Sequence, residues 1–227
     1  MTLPVRLLLR PLCLGALMLV VGGCWMGKSS TQRVELEPTG RYIRYQQDFA
    51  QAYAGLAQDG GYDLVLSNGF LGQPAKYGSR IFPSVVAPIS EVIHIRVAWR
   101  PEWSSRSDFP AATNSTIRWY VMSGSASGAD GYVEYKGIGF VKIQIDDKQT
   151  TFLLQDVTVH PGETVGQMKD PLGTTRLRGK IRAANNTPAV RKILEQLRRQ
   201  IDAVTPKGPA KATEPSGMPP ARTNVGP

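Results

Sequence analysis

The feature that most constrains the fold is an alternation of apolar and polar residues with a period of two along the middle of the chain. In VIHIRVAWR, every second residue from Ile93 to Trp99 is apolar, and the residues between are polar, charged or small. TIRWYV repeats the pattern with Ile117, Trp119 and Val121. Because successive side chains of a strand point to opposite faces, this period predicts strands with one buried face.

Longer strands follow in hairpin order. GYVEYKGIGFVKIQI and TTFLLQDVTV are joined by residues 146–148, whose short polar side chains suit a tight turn. Gly137 and Gly139 interrupt the first of these strands, which predicts a bulge or sharp bend. A last strand, TTRLRGKIRA, directs Leu177 and Ile181 inward. Since no helix separates the strands, we expect a mainly β fold, an antiparallel β-sandwich or a small barrel.

Two amphipathic helices are expected to flank the strands. An N-terminal helix is predicted from an apolar stripe ended by Gly60 and Gly61, with members Tyr42, Tyr45, Phe49, Tyr53 and Leu56. A C-terminal helix is predicted with Thr187 as N-cap and Pro188 as its first residue. Its buried stripe consists of Val190, Ile193, Leu194, Leu197, Ile201 and Val204.

The N-terminus has the features of an export signal. Arg6 and Arg10 precede an apolar segment over residues 12–21, which is too short for the roughly 20 residues that a membrane-spanning helix needs. Val21-Gly22-Gly23-Cys24 resembles the lipobox of bacterial lipoproteins. The resemblance implies cleavage before Cys24 and lipidation of its thiol, with an added N-acyl chain such as palmitate. The alternative is an ordinary signal peptide in which Cys24 has no role.

The expected domain organisation follows from this cleavage site. Residues 1–23 are the lipoprotein signal peptide and 24–40 a lipidated tether; a single β-rich domain with flanking helices spans 41–204. Residues 205–227, rich in proline and glycine, are predicted to be a disordered tail. Cleavage leaves 25 Lys and Arg against 18 Asp and Glu, a formal charge of +7. With Cys13 in the signal and Cys24 at the anchor, the domain can contain no internal disulfide.

The same resemblance implies a location in the cell envelope. A diacylglyceryl group on the thiol and the N-acyl chain together supply three acyl chains. These would make membrane attachment effectively permanent, since one chain alone binds only marginally. Trp25 occupies the position at which an aspartate would favour retention in the inner membrane. Its presence therefore favours a lipid-anchored protein at the outer membrane, facing the periplasm.

Catalytic chemistry has little support in the sequence. His94 and His160 are the two histidines, the first on the polar side of a strand and the second in a segment assigned to a loop. They could act as metal ligands or as a general base, and Glu163 with Asp170 could form an acid/base pair. None of the motifs HExxH, GxSxG, the P-loop or the dinucleotide-binding fingerprint occurs in the sequence. We therefore expect a protein without catalytic residues, metal or cofactor.

The most distinctive pattern is basic. Arg176, Arg178, Lys180 and Arg182 alternate along one strand, which presents a row of cations about 7 Å apart. The row is a candidate site for an anionic envelope polymer or a protein partner, or it is simply a solvated face; nucleic acid is not expected. Trp103 and Phe109 form a candidate aromatic surface in a long connection.

The sequence thus favours a non-catalytic binding or scaffolding module. A carbohydrate- or cell-wall-binding module that uses the basic strand and the loop aromatics is one alternative, and an envelope hydrolase that uses His94 or His160 is the other.

We expect Cys24→Ser to release the protein from membranes or to leave its signal uncleaved, because the serine hydroxyl cannot take the thioether-linked lipid. Detergent-phase partitioning and N-terminal mass measure this outcome. Cys13→Ser, within the signal itself, is the matched control and should partition like wild type. Unchanged partitioning and processing of Cys24→Ser would contradict the assignment.

Overall fold

The chain folds into consecutive strands that are followed by one helix. A computed structural model describes residues 32–72, 81, 88–101, 113–125 and 128–205, all of which belong to one compact unit. The strands are β1 (Gln32–Pro38), β2 (Tyr45–Phe49), β3 (Gln51–Leu56), β4 (Tyr62–Asn68), β5 (Ile89–Val97), β6 (Ser115–Ser125), β7 (Gly128–Ile145), β8 (Gln149–Val165) and β9 (Thr175–Asn185). The helix is α1 (Thr187–Val204).

The strands of the described residues form one sheet, with neighbours in the order β2-β1-β9-β3-β4-β5-β6-β7-β8. β8 also pairs with β9. Because β9 pairs in turn with β3, the strands from β3 to β9 form a closed series of pairings. All pairs are antiparallel except the two-residue contact of β3 with β9. The predicted mainly β fold with antiparallel pairing is therefore confirmed.

One face of the sheet, here called the core face, carries the larger apolar cluster. Ile117, Trp119 and Val121 lie in this cluster, as the alternation predicts. The ring of Trp119 stacks on that of Tyr135 at a centroid distance of 5.0 Å. The expectation that Trp99 continues the buried side of its strand is wrong. β5 ends at Val97, and Trp99 is 50% exposed.

The opposite face, here called the helix face, is covered in part by α1. Val190, Ile193 and Leu197 are buried against a second apolar cluster that strands β4 to β7 supply. Leu194, Ile201 and Val204 pack at its margin. The predicted C-terminal stripe is therefore confirmed as buried against the sheet.

The start of α1 lies one residue earlier than the sequence predicts. Asn186 is the N-cap, because its side-chain oxygen accepts a hydrogen bond from the backbone N–H of Ala189 at 3.0 Å. Thr187 is helical, and its hydroxyl accepts a hydrogen bond from the Leu56 N–H at 3.3 Å. The cap residues thus also join the helix to β3.

The prediction of an N-terminal amphipathic helix is wrong, since β2 and β3 occupy the residues assigned to it. The cause lies in β4, where the Asn68 amide donates to the Asp48 carbonyl and accepts from the Ala50 N–H, both at 2.9 Å. These bonds hold a bend at Ala50 between two extended segments. Tertiary hydrogen bonds therefore override a helical spacing that the local sequence offers.

The boundary between tether and domain lies earlier than the sequence indicates. β1 (Gln32–Pro38) belongs to the sheet, and Val34 and Leu36 are fully buried. Val34 and Leu36 alternate with Arg33 and Glu35, which is a strand pattern. The sequence interpretation missed this strand because turn residues follow it directly. The signal, residues 24–31 of the tether and residues 206–227 of the tail lie outside the described part of the chain.

Of the two glycines predicted to mark a bulge, Gly139 lies one residue before the register shift between Phe140 and Val141, but Gly137 does not mark a bulge. Its register with β8 is continuous, and the nearest shift on its C-terminal side comes at Phe140. A Cβ at Gly137 would collide with the Thr158 carbonyl of β8. Glycine is required here because the two backbones approach closely.

We expect Leu197→Ala to lower the free energy of unfolding by about 2–5 kcal/mol, because it leaves a cavity between α1 and the sheet. The side chain is 4% exposed. Urea denaturation of the full chain measures the change, and Arg198→Ala on the exposed side of α1 is the control. Equal midpoints for wild type and Leu197→Ala would mean that α1 adds little to the stability of the sheet.

Candidate functional site

The four basic residues of β9, here called the cationic row, lie where the sequence predicts them. Arg176, Lys180 and Arg182 are exposed and Arg178 is half-buried. The residues between them that point to the core face include Leu177 and Ile181, both fully buried. Strand geometry spaces the row at about 7 Å per step, or about 20 Å in all.

Acidic residues of β1 balance one end of this row. β1 pairs with β9 so that Glu37 lies opposite Arg176 and Glu35 opposite Arg178. The Glu37 carboxylate approaches Arg178 at 3.7 Å and Arg44 at 3.3 Å. One carboxylate is thus shared by two guanidinium groups. Lys180 and Arg182 lie beyond the β1 register, beside Leu153 and Thr151 of β8.

A pocket of about 390 Å³ opens at the Arg176 end of the row. Glu37, Arg41, Tyr42 and Arg176 line it, together with the turn at residues 38–40 that leaves β1. The Tyr42 ring is fully exposed, and the neighbouring Ile43 is 53% exposed. The pocket therefore combines two guanidinium groups, one carboxylate and one aromatic ring.

Hydrogen bonds to a neighbouring loop hold this pocket in shape. The Thr39 N–H donates to the Thr174 carbonyl at 2.8 Å, and the Arg41 guanidinium donates to the Pro171 carbonyl at 2.8 Å. Gly40 has a φ of +78°, a conformation in which other residues are strained. These contacts fix the position of the loop.

A second line of polar side chains crosses the helix face at right angles to the strands. His94, Arg118, Lys136 and His160 are successive cross-strand partners on β5, β6, β7 and β8. Because neighbouring strands lie about 4.8 Å apart, the two histidines are about 14 Å apart. His160 lies within β8 rather than in a loop, so that assignment is wrong.

Asp63 of β4 anchors one end of this line. Its carboxylate contacts His94 Nε2 at 2.9 Å and Arg96 at 2.9 Å. Burial alone would raise the Asp63 pKa, but hydrogen bonds from His94 and Arg96 outweigh it and hold the pKa below its ordinary value. Asp63 is therefore charged at neutral pH and fixes both basic side chains.

Carboxylates elsewhere, one of them buried and two exposed, accept hydrogen bonds from tyrosines. Glu134 accepts from the Tyr120 hydroxyl at 2.6 Å and pairs with Lys136 at 2.9 Å. Burial, with this hydrogen bond, raises the pKa of Tyr120 to about 12, so the hydroxyl stays protonated. Glu163 accepts from Tyr132 at 2.9 Å and Asp170 from Tyr135 at 2.6 Å.

These placements weaken each catalytic hypothesis from the sequence. Glu163 and Asp170 bind different tyrosines, and Asp170 also caps the turn before Gly173. His160 contacts the Thr174 hydroxyl at 3.0 Å, while His94 is held by Asp63. In the part of the chain that the structure describes, no group of three His, Cys, Asp or Glu side chains could hold a metal ion.

Several candidates from the sequence lie outside the described residues, namely Cys24, Trp103 and Phe109. Sequence analysis also missed part of the site. Tyr42 was assigned to a helix and Arg41 was not singled out, although the preceding Thr39-Gly40 signals a turn after an alternating segment. No local sequence pattern identifies Asp63 as part of this site, because only strand pairing places it beside His94 and Arg96.

Comparison with protein-family models, with curated proteins and with solved structures finds no match to this chain. Among the helices of the described residues, none is both long and apolar enough to cross a membrane.

We expect Asp63→Asn to lower the free energy of unfolding at pH 7 by about 1–3 kcal/mol, since it removes a buried charge partner of His94 and Arg96. A lowered pKa means that Asp63 stabilises the fold above its unfolded pKa of about 3.9 and loses this effect as pH falls through the folded value.

The difference between wild type and Asp63→Asn should therefore shrink in acid, as urea denaturation at pH 7 and at about pH 3 would measure. Asp59→Asn is the control, because Asp59 also pairs with Arg96 but is exposed and should change stability much less than Asp63→Asn. A difference that does not vary with pH would contradict the role of the Asp63 charge.

Proposed function

We propose that this protein is a lipid-anchored component of the cell envelope whose β domain binds or scaffolds and does not catalyse. The observation that carries the proposal is the cationic row, which a paired strand holds in an extended line with Arg176, Lys180 and Arg182 exposed. Its occupant in this proposal is an anionic envelope polymer. Regularly spaced cations fit a chain of repeated negative charges better than they fit a single small anion.

The pairing of the sheet supports the same role. The circuit of pairings through β9 favours a small barrel over an open two-sheet sandwich. In such an arrangement β9 has neighbours on both edges, which fixes the backbone spacing of the row. Because the backbone is already ordered, the conformational entropy lost on binding is limited to the Lys and Arg side chains.

The anchor in this proposal is the lipidated Cys24, with the protein at the outer membrane and facing the periplasm. Val21-Gly22-Gly23-Cys24 and the absence of aspartate at Trp25 support this location. A lipid anchor keeps the domain at a surface, where weak contacts along a polymer add together.

Hydrolysis is the less supported alternative. His94 and Asp63 form a hydrogen-bonded pair, but Arg96 shares the same carboxylate. His160 lies three strands away. In this arrangement the Asp63 carboxylate is shared between His94 and Arg96, as in a partly buried ion-pair network.

We expect Lys180→Gln with Arg182→Gln to weaken binding of the full chain to purified cell wall and to polyglutamate, because two row charges are removed. Arg198→Gln with Arg199→Gln on exposed α1 removes the same charge and is the matched control. Wild-type binding should also weaken between about 50 and 200 mM salt, as screening shortens the range of the charges.

Cosedimentation with the cell wall, and titration of the protein held in uncharged phosphatidylcholine nanodiscs, measure these affinities. An equal loss in both double variants would assign the binding to net charge rather than to the row. Absence of wild-type binding at low salt would overturn the proposal.

A further inference from the structure

We propose that the pocket beside the β1–β2 loop binds a sugar ring that carries a carboxylate or phosphate group. The inference rests on the proposed function, since it names the class of anionic polymer that the cationic row would take. The pocket lies where the row ends, with Arg176 belonging to both. A polymer that follows the row therefore reaches the pocket with its next unit.

The charges of the pocket match an acidic sugar. Arg41 and Arg176 place guanidinium groups on the wall, and guanidinium binds carboxylate and phosphate in planar, paired geometry. Because the Pro171 carbonyl takes one N–H group of Arg41, the orientation of the guanidinium is set. Its remaining donors are those that a ligand can use.

Glu37 can bind the hydroxyl groups of the sugar, while the guanidinium groups bind its acidic group. A carboxylate accepts hydrogen bonds and cannot donate them, so it suits the hydroxyl groups of a sugar. Its charge is already balanced by Arg44 at 3.3 Å and Arg178 at 3.7 Å. Glu37 can therefore accept from hydroxyls without repelling the acidic group that Arg41 and Arg176 bind.

Tyr42 distinguishes a sugar from a plain anion. Its ring is fully exposed, and it lies on the pocket wall. A flat aromatic ring offers an apolar face for the C–H groups of a sugar and a hydroxyl for its polar edge. An anion without a ring would make no use of this face.

The test uses the full chain in phosphatidylcholine nanodiscs and three polymers. Polygalacturonate is an acidic polysaccharide, dextran an uncharged one, and polyglutamate an acidic polymer without sugar rings. We expect wild type to bind polygalacturonate more tightly than the other two. Tyr42→Ala should weaken polygalacturonate binding about tenfold, the scale of one lost aromatic contact, and leave polyglutamate binding unchanged.

Arg41→Gln should weaken polygalacturonate binding as well. Ile43→Ala is the matched control, because Ile43 is an exposed neighbour of Tyr42 that does not line the pocket. It should bind all three polymers like wild type. Since Tyr42 is fully exposed, its variant should keep the wild-type melting temperature, which excludes misfolding as a cause.

The outcomes separate this inference from the proposed function. Unchanged polygalacturonate binding by Tyr42→Ala, or an equal loss with polyglutamate, overturns the sugar site. Loss of polyglutamate binding in the Lys180 and Arg182 double variant would still support the row. Conversely, polygalacturonate binding that depends on Tyr42 but not on Lys180 and Arg182 would support the pocket and overturn the row.

Discussion

The pairing of β9 is the constraint on which the rest of the described structure depends. One edge of β9 bonds to β8, and the other bonds to β1 at its start and to β3 at its end. This double pairing closes the circuit of strands and aims alternate residues at the core. It also sets the direction of the cationic row. The helix follows at once, and the Asn186 N–H donates to the Ala54 carbonyl of β3 at 2.8 Å, so the sheet and its covering helix meet at one point.

Sequence reasoning succeeded where the structure depends on near neighbours. The alternation at Ile117 and Trp119 and the turn over residues 146–148 need only local information, and both are present. It failed at β2 and β3, because the bend at Ala50 is held by Asn68, 18 residues further along. Tyr45 and Phe49 share a helical spacing by coincidence. Both contribute to the core-face cluster from a strand.

The same distinction between local and long-range information applies to the candidate site. The outward direction of Arg176 and its neighbours follows from a period of two, and it could be predicted. The pocket required the β1–β2 loop to meet the loop before β9, which no local pattern encodes. The cross-strand order that separates His94 from His160 likewise comes from register. Residues far apart in the chain became neighbours through backbone pairing, and pairing partners cannot be deduced from one strand alone.

The contact between β1 and β9 joins the first described strand of the chain to the last, as when Glu35 meets Arg178. Closing a loop of this length has a large entropic cost before any contact compensates for it, which slows folding. A chain that emerges N-terminus first therefore carries open edges on β1 and β8 until its final strand arrives. During that interval both edges can pair with other chains. The order of strands therefore leaves these two edges exposed to other chains until β9, the last strand of the described residues, has emerged.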